Sequence, residues 1–243
     1  MNPQNGAALA LPQRRWDIDW LRVLVVLMLV PYHTARIFDY DPFYVKNHQL
    51  VVELSYWFVN LGDAFAMRLL FLLAGAATWF ALRRRSSGRY ALERVQRLLM
   101  PFIWGLFVLA PPNAYFALRN HTDYGGSYLE FYPRFFEISP QGLLDFSGRF
   151  TIAHLWFILF LFIISLVALL PIFFLRRDSG RRLIGGLASF CGLPGVIFLL
   201  AIPPLVTEWL MLTVPSLFLV LGLTFYFIFF LYGYVQMADG RFD

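Results

Sequence analysis

Two side chains set inside an otherwise apolar stretch, DIDWLRVLVVLMLVPYHTARIFD at 17–39, are of types that do chemistry: Arg22 and His33. An imidazole titrates close to neutral pH and can take a proton from a hydroxyl group as that oxygen attacks. A guanidinium presents a planar fork of N–H donors that matches phosphate oxygens. If the stretch is helical, eleven steps of ~100° return to within ~20° of one direction, while a rise of ~1.5 Å per residue holds the pair ~16 Å apart. Arg22 and His33 then share a face without touching, at opposite ends of one interior path. Arg94 and Arg97, three apart in ERVQRLLMPF, offer a second pair of guanidinium groups. Asp63, Arg68, His154 and Glu208 are further ionisable residues inside apolar runs. Such groups are expensive in hydrocarbon and by default mark interior or functional positions.

The scaffold that must hold them is legible in the composition. Hydrophobic residues make up 59% of the 243, and charged residues only 14%, against about 25% in a typical soluble domain. A helical span needs roughly 20 apolar residues, and six runs qualify: about Asp19 to Ile37, Tyr56 to Leu82, Leu98 to Leu118, Ala153 to Leu175, Leu183 to Leu205 and Trp209 to Tyr232. Unbroken runs such as FILFLFIISLVALLPIFFL lack the alternation of barrel strands. The expected fold is an all-α, polytopic transmembrane helix bundle of about six spans, since helices satisfy their own backbone hydrogen bonds in lipid.

Arginine placement predicts the orientation. Arg14 and Arg15, the RRRSSGRYALERVQR segment, and Arg176, Arg177, Arg181 and Arg182 fall on one side of the six runs. The positive-inside rule makes that side cytoplasmic, with both termini there. The net charge of +5 is explained by topology, and no nucleic-acid partner is needed. The first run is too long for a signal core, contains Asp17, Asp19 and Arg22, and lacks a small-residue cleavage site, so it reads as a retained span. Residues 1–15 read as a disordered cytoplasmic tail, and 16–243 as one transmembrane domain. The lone Cys191 forms no intrachain disulfide, and no metal site is expected.

Between the third and fourth runs lies HTDYGGSYLEFYPRFFEISPQGLLDFSGRF, 121–150. Its aromatic residues read either as an interfacial belt at headgroup level or as a lid stacking Tyr124, Tyr128, Tyr132 or Phe136 on a sugar-like acceptor. Pro31 is expected to bend the first helix before His33. Gly75, in LAG, reads as a site of close helix packing. Asp63 and Arg68 read as a pair that neutralises itself across the second span.

In their order these motifs resemble one family. DIDWLRVL…PYHT, with ten residues between Arg22 and His33, is similar to the first-helix signature of the integral-membrane acyltransferase family 3. LLFLLAGAATWFALRRR resembles its FFLSG-like helix and basic exit, ERVQRLLMPF its RxxR pattern, and HLWFILFLF its HLWFL segment. The match runs from about Arg15 to Leu170 and is nearest the glucan-modifying, succinyltransferase-like branch. Members usually continue through several more spans, so this chain resembles their N-terminal portion.

The resemblance implies an O-acyltransferase of the bacterial inner membrane. An acyl group would pass from a cytoplasmic thioester, acyl-coenzyme A as co-substrate with no permanently bound cofactor, to a hydroxyl on an extracytoplasmic glycan. On that reading His33 is the general base, Arg22, Arg94 and Arg97 contact the donor phosphates, and His154, Tyr32 and Trp156 lie on the acceptor side. The residues also admit plainer roles: a packed structural imidazole at 33, an Arg22–Asp19 salt bridge, and topological arginines at 94 and 97. A small transporter or lipid-handling protein, with Arg22 and His33 lining a permeation path, is the alternative from another class.

Overall fold

The computed structural model describes residues 15–138 and 148–242, so nearly all of the expected tail, 1–14, lies outside the described residues. Those described form helices and connecting loops with no β-strand. Five helices are long and apolar enough to cross a membrane, and a bent pair makes a sixth. The bundle is therefore that of a multi-pass membrane protein.

Helix α1 (Trp16–Ala35) continues through Pro31 to its end. Only Ile18 and Val25 on it are buried, while Leu21, Leu24, Leu27 and Val30 are exposed. One narrow stripe faces α2 (Val52–Arg84), and the remaining surface is of the kind that lipid solvates. Helix α2 is the axis of the bundle. It crosses α11 (Phe218–Ala238) where Gly75 meets the Phe230 backbone and Gly233 meets that of Leu72. A methyl group at either glycine would overlap a carbonyl oxygen of the other helix, so Gly75 permits the close packing read from the sequence. Around this crossing, Phe71, Phe160, Ile164, Ile172 and Phe230 form the main core.

The third run is bent. Helix α3 (Ser87–Arg94), capped by Ser86, leads through a π-helical turn at Val95–Leu99 into α4 (Met100–Val108). The chain then turns by 41° into α5 (Ala110–His121). Pro111 and Pro112 follow the bend; proline lacks an N–H and its ring crowds the preceding turn, which breaks the continuity of a long helix. The fourth span is assembled from a 3-10 turn at Ala153–Leu155, α7 (Trp156–Val167) and α8 (Leu169–Leu175). Between the third and fourth spans, α6 (Tyr128–Phe135) begins in a capping box of Ser127 and Glu130.

The last two spans differ from their expected bounds. Leu183 to Leu205 is not one helix: α9 (Asp178–Cys191) ends before Gly192-Leu193-Pro194-Gly195, where Gly195 adopts φ +81°. Helix α9 is amphipathic, burying Gly180, Ile184 and Ala188 at steps of four. The fifth span starts later, with a 3-10 turn at Val196–Ala201 leading into α10 (Ile202–Thr213), and the sixth covers Pro215–Ala238. Hydropathy alone merged the end of an amphipathic helix with the start of a span, because the small and apolar residues of GGLASFCGLPG carry no charge to mark the join.

Ile18 at the start of α1 and Met237 at the end of α11 pack on one cluster with Leu73 and Ala76, so the first and last spans have those ends on one side. Reporter fusions test which side that is. Fusions at Ser87 and Ser179 are expected to read cytoplasmic and one at Gly126 extracytoplasmic; a cytoplasmic signal at Gly126 would reverse the assignment.

Candidate active site

The last turn of α1 presents Tyr32 and His33 at the end of the bundle remote from the arginine-rich loops. The His33 Nδ1–H donates to the Leu29 carbonyl oxygen at 2.7 Å. A carbonyl can only accept, so Nδ1 carries the hydrogen and Nε2 of the neutral ring keeps the lone pair. One ring nitrogen is thus committed to the helix backbone, and the other is left as the basic one.

His154 meets His33 from the fourth span, the two rings edge to face with centroids 4.7 Å apart and planes at 84°. The two histidines are 121 positions apart in sequence, and helical packing alone unites them. Immediately before His154, Ala153 has φ +44°, a conformation that a side-chain-bearing residue adopts at a cost of roughly 1–2 kcal/mol. Its N–H donates to the hydroxyl of buried Thr151 at 3.1 Å, which holds the turn in that shape. Strain of this kind concentrates at functional sites.

A roof covers the histidine pair. Phe43 lies 6.3 Å from His33 and 5.7 Å from His154 between ring centroids, and Tyr44 lies 5.1 Å from His154. The Tyr44 hydroxyl hydrogen-bonds the Thr151 side chain, and burial pushes its pKa up, so it stays protonated. Both aromatics sit in the 36–51 loop, which is clasped by one carboxylate. Buried Asp39 accepts from Arg36 at 2.8 Å and Lys46 at 2.6 Å. The loop is also tied to α5: the Lys46 N–H donates to Asn120 at 3.0 Å, and His121 Nε2–H donates to the Phe43 carbonyl at 2.6 Å. Removing one partner of a buried, hydrogen-bonded charge set is strongly destabilising locally, by about 3–5 kcal/mol. Asp39→Ala is therefore expected to speed proteolysis and hydrogen exchange across 36–51 while leaving the helical content of the spans unchanged. Undiminished protection of that loop would show that the clasp is not what holds it.

Behind His33, the Tyr32 ring lies across Gly62 and its hydroxyl donates to Asp63. Any side chain at position 62 would press on that ring. This overturns the expected neutralisation of Asp63 by Arg68. Arg68 reaches the Asp63 backbone oxygen at 3.4 Å, but its ion pair is with Glu208 of α10 at 3.3 Å, and its guanidinium lies over Phe225. The carboxylate of Asp63 belongs to the tyrosine.

The arginines expected to contact a donor are not brought together. Arg22 lies on the α2-facing side of α1, half-exposed, with its nearest acid Asp19 at 3.8 Å. Arg94 stacks over the Tyr90 ring at 4.5 Å, and Arg97 is exposed on the π-helical turn, which packs against α7. Trp156 faces the core, 5.4 Å from both Phe160 and Tyr226. In the 121–150 segment, Tyr128, Tyr132 and Phe136 form a continuous line of rings. That line continues to exposed Phe107 of α4, and the Tyr132 hydroxyl donates to its carbonyl oxygen at 3.2 Å. Continuity with a span surface is the arrangement of an interfacial belt. Sequence reasoning missed Phe43, Tyr44, Asp39, Lys46 and Thr151. The signal is DYDPFYVK, two acids and a lysine flanking an aromatic pair directly after the first span.

A family model described as an acyltransferase domain matches residues 15–236. Among curated proteins, the chain is similar to glucans biosynthesis protein C of Salmonella schwarzengrund (strain CVM19633), 24% identical over 232 residues, covering 90% of this chain and 57% of the relative. Proteins of the same name from Salmonella heidelberg (strain SL476) and Salmonella agona (strain SL483) are 23% identical over the same coverage. The chain thus spans little more than half the length of the curated relatives it matches. No solved structure matches it.

Proposed function

The chain belongs to the acyltransferase family whose domain matches residues 15–236, and from that premise we propose that it takes part in O-acyl transfer across a bacterial inner membrane. The donor is a thioester, acyl-coenzyme A by preference, presented at the arginine-rich side. The acceptor is a hydroxyl on an extracytoplasmic glycan, a class suggested by the name of the Salmonella relatives. The observation that carries this reading is the His33 hydrogen bond to the Leu29 carbonyl, which leaves Nε2 as the proton-accepting nitrogen.

His33 Nε2 takes the proton of the acceptor hydroxyl while that oxygen attacks the thioester carbonyl. A C–O bond forms, the C–S bond breaks, and the departing thiolate recovers the proton from the imidazolium. His154, in edge contact with His33, orients the imidazole or the acceptor. Tyr32 acts from behind, its hydroxyl held by Asp63. Arg22, with Arg94 and Arg97, supplies guanidinium contacts to donor phosphates.

The test is a glycan mass comparison. Membranes from a strain lacking the gene are expected to yield a glycan short of one acyl mass, restored when the full gene and a labelled acyl thioester are supplied. Unmodified glycan masses together with measurable substrate flux would instead make the protein a transporter.

A further inference from the structure

On the arginine-rich face, the ends of α2, α8, α9 and α11 enclose a cavity of about 470 Å³. Three guanidinium groups line it, Arg83 from the end of α2 and Arg176 and Arg181 from the junction of α8 and α9, over a floor that includes Trp79, Ile184 and Tyr234. The Arg83 guanidinium carbon lies 4.6 Å from the centre of the Trp79 ring, a cation–π contact.

Arginines on one side of a membrane protein follow from topology, so the charge balance around each decides what it is for. Arg85 and Arg89 on this face both pair with Glu93, and Arg241 pairs with Asp239. By contrast, among the described residues no carboxylate forms a salt bridge with Arg83, Arg176 or Arg181. The single acid in the lining, Asp239, is already held by Arg241, whose guanidinium lowers its pKa to about 2. Arg241 also donates to Ser189 at 2.7 Å, mooring α9 as one wall of the cavity. Among the described residues, three like charges thus line one concavity that holds a single carboxylate, itself paired with a fourth arginine.

We propose that this cavity binds a phosphate ester, either the phosphodiester headgroup of an anionic lipid or the phosphates of a soluble nucleotide. Guanidinium forks match phosphate oxygens in pairs, and the volume lies within the range of about 300–1,000 Å³ usual for small-ligand sites. The apolar and aromatic floor receives the uncharged part of the ligand, a glycerol with its first methylenes or a nucleobase. None of Arg22, Arg94 and Arg97 lines the cavity, so the site stands whether or not they contact a donor.

Binding is measured on the full chain in phosphatidylcholine nanodiscs. One arm adds phosphatidylglycerol and follows its retention by native mass spectrometry; the other titrates adenosine 3′,5′-bisphosphate calorimetrically. The triple variant Arg83→Gln/Arg176→Gln/Arg181→Gln is compared with Arg84→Gln/Arg177→Gln/Arg182→Gln, which removes equal charge from residues outside the lining. We expect saturable binding in at least one arm, weakened about tenfold or more by the first triple and less than about threefold by the second. Retention of the lipid alone identifies a headgroup site, and saturation by the bisphosphate alone a nucleotide site. If the first triple does not fold, Arg181→Gln decides, with an expected loss of about threefold or more. No saturable binding in either arm, or equal weakening by both triples, overturns the proposal.

Discussion

On the proposed mechanism, replacing His33 with alanine is expected to abolish acyl transfer while the protein still inserts and still binds the proposed thioester donor. A general base contributes typically about 10²–10⁴-fold, and in this site the proton acceptor is set by the backbone: with Nδ1–H donated to Leu29, only Nε2 can do the work. The measurement is turnover in the longest native form of the protein at matched membrane abundance, with donor affinity determined in parallel. Near-normal turnover would sink the mechanism. Loss of the folded protein would instead assign His33 a packing role beside His154, Phe43 and Tyr32. Arg22→Ala provides the contrast, since weaker donor binding with the chemical step retained is what a phosphate contact predicts.

The second large effect concerns the bundle and not the site. Gly75→Val is expected to prevent α2 and α11 from closing on each other, because the added side chain would occupy the space of the Phe230 carbonyl oxygen. Overpacking commonly costs about 1–3 kcal/mol when side chains can shift; here the obstacle is backbone, so the loss should exceed that range. Fluorescence-detected size exclusion and thermal unfolding report it, with Gly88→Ala, at a position facing open space, as the control. A Gly75→Val protein that elutes and melts like the parent would mean that the crossing is wider than described.

How much of this could be read in the residues depended on whether the signal was local. Apolar run length is local, and it is enough for a helical multi-pass bundle with four spans in nearly their final places. The fifth and sixth slipped, because the join at Gly192–Gly195 is made of residues that a hydropathy window does not distinguish from a span. His33 and His154 were legible as polar residues in apolar company, but their edge contact is a property of packing between the first and fourth spans. The partners of Asp63 and Arg68 were misread for the same reason. Proximity along one helix suggested a pair, whereas Tyr32 and Glu208 reach in from other helices. The roof over the histidines depends on Asp39 gathering Arg36 and Lys46, a three-way clasp that no spacing rule encodes.

The π-helical turn at Val95–Leu99 gives the third span two phases. A π-turn closes its hydrogen bond one residue later than an α-turn, so each side chain after it is offset by about one residue's rotation, ~100°, from where an unbroken α-helix would point it. Arg94, before the turn, can therefore lie back over Tyr90 while Arg97, inside it, projects outward. Beyond it, Gly105 comes to rest against Leu155, the residue next to His154. The turn works as a vernier between two faces of the protein: one residue more or fewer within it would leave Arg94 where it is and rotate the wall beside the histidines.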